Sequence, residues 1–225
     1  MTDPSITRLP VLLSASVPDE IVGTPDAQRL YELVAAIVRA IFDLGARLVF
    51  GGHPTITPLV HRLAKGRGVP PPGVELFQLE RFRDKAPSET FDRSVLRQVH
   101  WVGDPNLDMT EDLARLRDPM VNLAQAAIFV GGKTTGFSGG KPGIRDEYER
   151  FRTAHPDRPV YLVGSAGGET ARLIQDAAKD ASGTDWEKNG LQGEARHVLH
   201  GSHDPSLVAA LIARDLLRLA GGPTA

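Results

Sequence analysis

Short apolar runs alternate with amphipathic stretches of helical length along most of this chain. The runs are rich in Val, Leu, Ile and Phe, which is typical of strands buried on both faces. We expect strands at residues 9–13, 47–50, 74–79, 98–102, 127–130 and 160–163. Apolar residues at helical spacing follow most of these runs. The predicted helices begin at Pro25 and Thr57 and then occupy 108–126, 143–153, 168–180 and 205–220.

Local signals support these boundaries. Thr24 stands before Pro25 as an expected N-cap, and Gly45 is expected to stop the first helix. Pro119 should bend the helix over 108–126 or begin a new segment. Alternating strands and helices predict the α/β class: a single Rossmann-like, doubly wound, mainly parallel sheet with helices on both faces. We expect one domain over 1–225, with a polar, Gly-rich surface excursion at 181–204 and the helix 205–220 closing the chain.

Composition narrows the function classes. The chain has 26 Lys and Arg against 28 Asp and Glu, a formal charge of −2, which argues against a broad nucleic-acid-binding surface. It has no cysteine, so disulfides, thiolate zinc sites, iron–sulfur clusters and thiol nucleophiles are excluded. No basic segment precedes an apolar one at the N-terminus, and no apolar run is long enough to span a membrane. We therefore expect a cytoplasmic protein without a membrane partner.

Glycine and small polar residues follow several of the predicted strands. Ligands of open parallel sheets bind at the carboxyl ends of the strands, where such loops converge. Glycine lets the backbone approach a ligand closely, and a following helix N-terminus presents free N–H groups to an anion. The loops are Ser14-Ala15-Ser16, Gly51-Gly52-His53-Pro54, Gly131-Gly132-Lys133 and Gly164-Ser165-Ala166-Gly167-Gly168. Together they predict a site for a phosphate-bearing nucleotide.

Residues 128–149 are the most informative segment. A buried strand runs into a Gly-rich loop with two lysines, Lys133 and Lys141, and then into a helix whose first turn carries Arg145 and Glu147. The spacing matches neither the Walker A motif nor the dinucleotide-binding glycine fingerprint.

The paired signatures Gly51-Gly52-His53-Pro54 and Gly131-Gly132-Lys133 with Pro142-Gly143-Ile144-Arg145-Asp146-Glu147 resemble the SLOG superfamily. This Rossmann-like group includes the LOG phosphoribohydrolases, DprA and the ligand-sensing region of TRPM channels. The chain looks most like the bacterial branch that accompanies TIR and nucleoside-phosphorylase-like effectors in conflict systems. The resemblance covers about residues 9–180.

The resemblance implies two possible activities. Sensor members, including cyclic ADP-ribose-binding domains of anti-phage systems, carry an arginine, a lysine and a glutamate that match Arg117, Lys133 and Glu147 in order. LOG enzymes carry a PGGxGTxxE motif, of which Gly143 and Glu147 match, while Ile144 stands where threonine is expected. A sensor of an ADP-ribose-like or other NAD-derived nucleotide, acting in bacterial conflict or antiviral defence, is therefore the first expectation. The alternative is an N-glycosidic hydrolase or transferase with Glu147 and Arg117 as catalytic residues.

Each candidate also has an ordinary structural explanation. Arg145 at this position could bind a phosphate or pair with Glu149 one turn later. Arg115 could take the place of Arg117. The predicted ligand-binding residues are Ser14, Ser16, Gly51, Gly52, His53, Arg117, Gly131, Gly132, Lys133, Gly143, Ile144, Arg145, Glu147 and Gly164.

Three rival functions are weaker. His197, His200 and His203 have a spacing that metal sites use, but no HExxH helix accompanies them, so no metal and no cofactor are predicted. A Ser-His-Asp hydrolase would need a GxSxG turn that Gly164-Ser165-Ala166-Gly167 does not provide. A DprA-like single-strand DNA binder is disfavoured by the acidic balance and the few aromatic residues. A sensor would signal through a homo-oligomer or an effector protein, and the apolar face Val208, Ile212, Leu216 and Leu219 could serve that contact or belong to the core.

Overall fold

The computed structural model describes residues 9–67, 73–84, 95–136, 140–180 and 185–221. The strands are β1 (Pro10–Ser16), β2 (Arg47–Phe50), β3 (Val74–Leu79), β4 (Gln98–Val102), β5 (Ala126–Gly131) and β6 (Val160–Val163). The helices are α1 (Pro25–Asp43), α2 (Thr57–Gly66), α3 (Met109–Leu123), α4 (Gly143–Ala154), α5 (Gly168–Lys179), α6 (Glu194–Gly201) and α7 (Pro205–Ala220). Within the described residues, no helix is long and apolar enough to cross a membrane.

The six strands form one parallel sheet in the order β4-β3-β2-β1-β5-β6. The predicted α/β class with a doubly wound parallel sheet is confirmed. The chain builds the sheet outward from β1 to β4 and then returns to the other side of β1 for β5 and β6. This reversal creates a topological switch point between β1 and β5, at which ligands of such folds bind.

Two apolar cores lie on opposite faces of the sheet. Alternation along β1 sends Val11 and Leu13 into the core under α1, α2, α6 and α7, and Leu12 into the core under α3, α4 and α5. Ser14 and Ser16 share the face of Leu12, so the end of β1 presents hydroxyl groups on the side of α4.

Several local predictions are confirmed. Thr24 caps α1 by accepting a hydrogen bond from the Asp26 N–H, and Gly45 adopts a positive φ of 73° just after the helix ends. Pro119 lies inside α3 without beginning a new segment. Strand β1 extends further than the apolar run predicted, because its backbone keeps pairing with β5 as far as Ser16 and Gly131. Backbone pairing tolerates the serine side chains there.

Residues 185–201 are part of the packed fold rather than the predicted surface excursion. The Val160 N–H donates to the Glu187 carbonyl at 2.6 Å, and the Leu162 N–H donates to the Glu187 carboxylate at 3.1 Å. The Asn189 amide donates to the Val160 carbonyl at 2.6 Å. These bonds cover the open edge of β6, which would otherwise expose unpaired backbone groups. The remaining residues of the predicted excursion before 185 lie outside the described part of the chain.

The last helix belongs mainly to the core. Val208, Ile212 and Leu216 are buried against α1, whereas Leu219 is exposed at the end of α7. The apolar face proposed for a partner is therefore largely used within this chain.

Candidate functional site

A cleft opens at the switch point, where β1, β2 and β5 end and α4 begins. Its polar wall contains Ser14, Ser16, His53, Arg117, Lys133, Thr135 and Glu147. Its apolar wall includes Leu13, Phe50, Ile56, Leu113, Leu116 and Ile144, and its glycines are Gly51, Gly136 and Gly143. Most of the site residues predicted from the sequence thus meet in one cleft, although they come from four separate segments of the chain.

Glu147 and Arg117 are two largely buried charges of the cleft. Glu147 lies one turn into α4, with 16% of its side chain exposed, and the Ser14 hydroxyl donates a hydrogen bond to its carboxylate. Arg117 Nε lies 3.5 Å from Glu147 Oε1. Burial raises the pKa of Glu147 above its ordinary value, and the charge of Arg117 and the Ser14 hydrogen bond oppose that rise. The carboxylate is therefore desolvated, but it is held in a defined orientation.

Arg117 is held in place by an ion pair with Asp146. Its Nη1 donates to Asp146 Oδ2 at 2.8 Å, and Arg150 Nε donates to the other Asp146 oxygen at 3.1 Å. Arg150 also pairs with Asp118 on α3. The alternative, Arg115, is exposed and does not line the cleft. Asp146 was not singled out from the sequence; its adjacency to Glu147 was the available signal.

The first turn of α4 has no side-chain cap among the described residues. Its first N–H groups have no partner within the helix, and this end of the helix dipole favours negative charge. A methyl group at Gly143 would lie 3.0 Å from Arg117 Nη2, so the glycine lets the guanidinium approach the start of the helix closely. The uncapped turn and the arginine therefore share one end of the cleft.

Gly131 and Gly132 position α4 rather than line the cleft. Both have positive φ, and a methyl group on Gly132 would lie 2.6 Å from Ile144 Cδ1. The Gly132 N–H donates to the Ser16 carbonyl at 2.8 Å. Ile144 is buried and fills the space that the missing side chain leaves. The two halves of the motif, separated by the lysine-containing loop, meet through this contact.

Lys133 and His53 lie on the rim. Lys133 Nζ is 2.8 Å from Asp19 Oδ1, and both side chains are about half exposed. Burial and the nearby Lys133 charge lower the pKa of His53, so its ring is favoured in the neutral form. His53 Nδ1 lies 2.9 Å from the Thr55 hydroxyl oxygen and 3.4 Å from the Thr55 backbone nitrogen, so this ring nitrogen is engaged within the turn.

Arg145 and Gly164 do not line the cleft. Arg145 pairs with Glu169 and, at 2.8 Å, with Asp176, both on α5. Arg145 neither lines the cleft nor pairs with Glu149, the two alternatives that the sequence offered. Its side chain extends from α4 toward α5 instead. Glu149 instead pairs with Lys141 at 2.6 Å.

Two predicted glycines have structural contacts. A methyl group on Gly164 would lie 2.6 Å from the His200 carbonyl oxygen, so this position serves the packing of α6. Gly52 has a φ of 60°, and a methyl group there would lie 3.0 Å from Gln78 Nε2. The glycine therefore lets the turn after β2 pack closely against β3, and it does not line the cleft.

The histidine-rich segment pairs with a carboxylate. His200 Nε2 lies 2.8 Å from Glu187 Oε2, whereas His197 and His203 are exposed. Over the described ranges, no group of three or more His, Asp or Glu side chains is placed to hold a metal ion.

Comparison with known proteins gives the family of this chain and a protein of similar fold. The family model of the SLOG cluster3 family matches residues 21–189, which include β2 to β6 and the cleft residues from Phe50 to Glu147, but not β1 with Ser14 and Ser16. The chain belongs to the SLOG cluster3 family. The crystal structure of TM1055, a structural-genomics target, is similar over 74% of this chain and 81% of that chain, with 17% identity and a TM-score of 0.50. No curated protein matches the sequence.

Membership of the SLOG cluster3 family confirms the resemblance to the SLOG superfamily, and the similarity to TM1055 concerns the fold alone. Family and fold together support a nucleotide-related function for this SLOG protein. The branch that accompanies TIR and nucleoside-phosphorylase-like effectors stays a prediction.

Proposed function

We propose that the cleft binds a nucleotide or an NAD-derived nucleotide of the ADP-ribose type, and that the protein acts as a sensor of that ligand. The observation that carries the proposal is the grouping of a desolvated Glu147, Ser14 and Arg117 beside an uncapped helix N-terminus at the switch point. A carboxylate can accept two hydrogen bonds from a ribose diol, and the helix end with its N–H groups suits a phosphate.

The two walls of the cleft suit the remaining parts of such a ligand. Lys133 on the rim supplies a second cation for phosphate, in addition to Arg117. Leu113, Leu116 and Ile56 form an apolar surface that suits a base. In this arrangement Glu147 contacts the ribose and separates the base end from the phosphate end.

Sensing is favoured over cleavage by the first turn of α4. Ile144 has no hydroxyl group and is buried against Gly132, so its side chain supplies packing and no hydrogen bond. The sensor proposal extends to a role in defence, in which the bound state is passed to an effector protein or to further copies of this chain.

N-glycosidic hydrolysis is the second candidate, favoured by the desolvated carboxylate of Glu147 beside Arg117. A fixed negative charge next to the ribose would stabilise an oxocarbenium-like transition state. In that case Glu147 and Arg117 would be catalytic residues.

The test is incubation with NAD, ADP-ribose, cyclic ADP-ribose and nucleoside monophosphates, followed by chromatography of the protein-bound and free fractions. A ligand retained intact supports the sensor, whereas release of free base supports the hydrolase. If the protein neither retains nor cleaves any of these compounds, the proposed function is wrong.

A further inference from the structure

The loops that follow β1 and β5 are joined across the rim of the cleft. Lys133 Nζ lies 2.8 Å from Asp19 Oδ1, and the Thr134 hydroxyl donates to Glu20 Oε1 at 3.4 Å. The cation that the cleft offers to a phosphate is therefore already paired with a carboxylate of the same chain. This pairing could not be predicted from the sequence, because the two residues are far apart along the chain.

The bases of the two loops are firmly held, whereas their tips are exposed. Gly132 is bonded to the Ser16 carbonyl, and a methyl group on Gly131 would lie 2.7 Å from the same oxygen. Beyond this base, Asp19 is 56% exposed and Val22 is 62% exposed. The ion pair thus joins two exposed side chains, whose contact can break while the backbone hydrogen bonds at the bases of the loops stay in place.

Lys133 differs in this respect from the other cation of the cleft. Arg117 is 14% exposed and is held by Asp146, which Arg150 fixes in turn. Exposed ion pairs contribute little to stability, because water and salt screen them. A phosphate monoester or a diphosphate carries more negative charge than a carboxylate and can replace Asp19 at Lys133 at small cost.

We infer that Asp19 is a specificity-determining residue, an internal counterion that occupies Lys133 until a ligand phosphate displaces it. This inference rests on the proposed function, since it assigns Lys133 to the phosphate of the bound nucleotide. Asp19 then lowers the affinity for every ligand that reaches Lys133 with an anion, and it leaves the affinity for an uncharged ligand unchanged. Displacement also breaks one of the two side-chain contacts that join the loop after β1 to the loop after β5.

The test compares adenosine 5′-monophosphate, adenosine and inorganic phosphate by calorimetry at low, constant ionic strength. Asp19→Asn should bind the monophosphate about two- to fivefold more tightly than the wild type, the range expected for an exposed ion pair, and should bind adenosine equally well. The gain should vanish when Lys133→Ala is present in the same chain. Glu20→Gln, which removes the same charge from the neighbouring residue, is the matched control and should give a smaller gain.

Three results would overturn the inference: unchanged or weaker monophosphate binding by Asp19→Asn, an equal gain for adenosine, or a gain that persists without Lys133. Inorganic phosphate separates this inference from the proposed function. If no nucleotide binds but phosphate binds more tightly to Asp19→Asn than to the wild type, the exchange stands and the nucleotide proposal fails. If neither nucleotide nor phosphate binds either protein, both are wrong.

Discussion

Glu147 shows how a single residue can be recognised as a functional candidate on physical grounds. Its carboxylate is buried at a cost that the Ser14 hydroxyl and Arg117 offset only in part, since its pKa remains raised. A carboxylate that burial disfavours in this way, and that lines a cleft, is a candidate for function. Its position one turn into α4 could be predicted from the sequence, because the motif resembles that of a known family. Its partners could not, since Ser14 and Arg117 come from distant segments.

This burial has a consequence for stability. Because the pKa of Glu147 is raised in the folded protein, its ionised form lowers the free energy of unfolding at neutral pH. Glu147→Gln should therefore be more stable than the wild type at neutral pH. The difference should shrink as the pH falls through the raised pKa and vanish below the ordinary carboxyl pKa.

Thermal unfolding from neutral to acidic pH measures this difference. Glu149→Gln, two residues further along α4 and 44% exposed, is the matched control and should show no such gain. A Glu147→Gln variant that is less stable than the wild type at neutral pH would contradict the account of the buried charge.

Lys133 provides the second prediction at the residue scale. Lys133→Ala should weaken nucleotide binding by about 1–3 kcal/mol, the range of a hydrogen bond to a charged group. Lys141→Ala is the control, because Lys141 lies in the same loop but pairs with Glu149 and does not line the cleft. Calorimetry should separate the two variants; equal affinities would place the phosphate elsewhere.

At the scale of elements, α4 has two functions on two faces. Glu147 and Ile144 line the cleft, whereas Arg145 pairs with α5. Apolar periodicity predicted where this helix begins, but a charged residue in a first turn can point to either side. The sequence therefore located the helix and its glutamate correctly, while the direction of Arg145 depends on the packing of α5.

The turn after β2 contains Gly52, which was predicted to bind ligand but packs against β3 in the structure. Gly52→Ala should lower the free energy of unfolding by about 1–2 kcal/mol, because its φ of 60° disfavours a side chain and the new methyl group would approach Gln78 and Leu76. Gly66→Ala, at the end of α2 with open space around it, should be neutral or stabilising. Chemical denaturation measures both, and a Gly52→Ala variant as stable as the wild type would refute this role.

At the scale of the whole molecule, the order of the elements predicted the sheet and the edge at which the cleft lies. The sequence predicted a parallel, doubly wound sheet but not the order of its strands, because the pairing of β1 with β5 joins segments over a hundred residues apart. The segment 185–191 was misjudged for the same reason. Its composition is polar, but Glu187 and Asn189 are buried because they satisfy the open edge of β6.

The central claim is that the cleft at the switch point binds a nucleotide through Glu147. Calorimetric titration of ADP-ribose and adenosine 5′-monophosphate into the wild type, Glu147→Gln and Glu149→Gln tests it most directly. We expect the wild type and Glu149→Gln to bind alike and Glu147→Gln to bind about tenfold more weakly, while remaining folded. Equal binding by wild type and Glu147→Gln, or no binding of either nucleotide by the wild type, would contradict the claim.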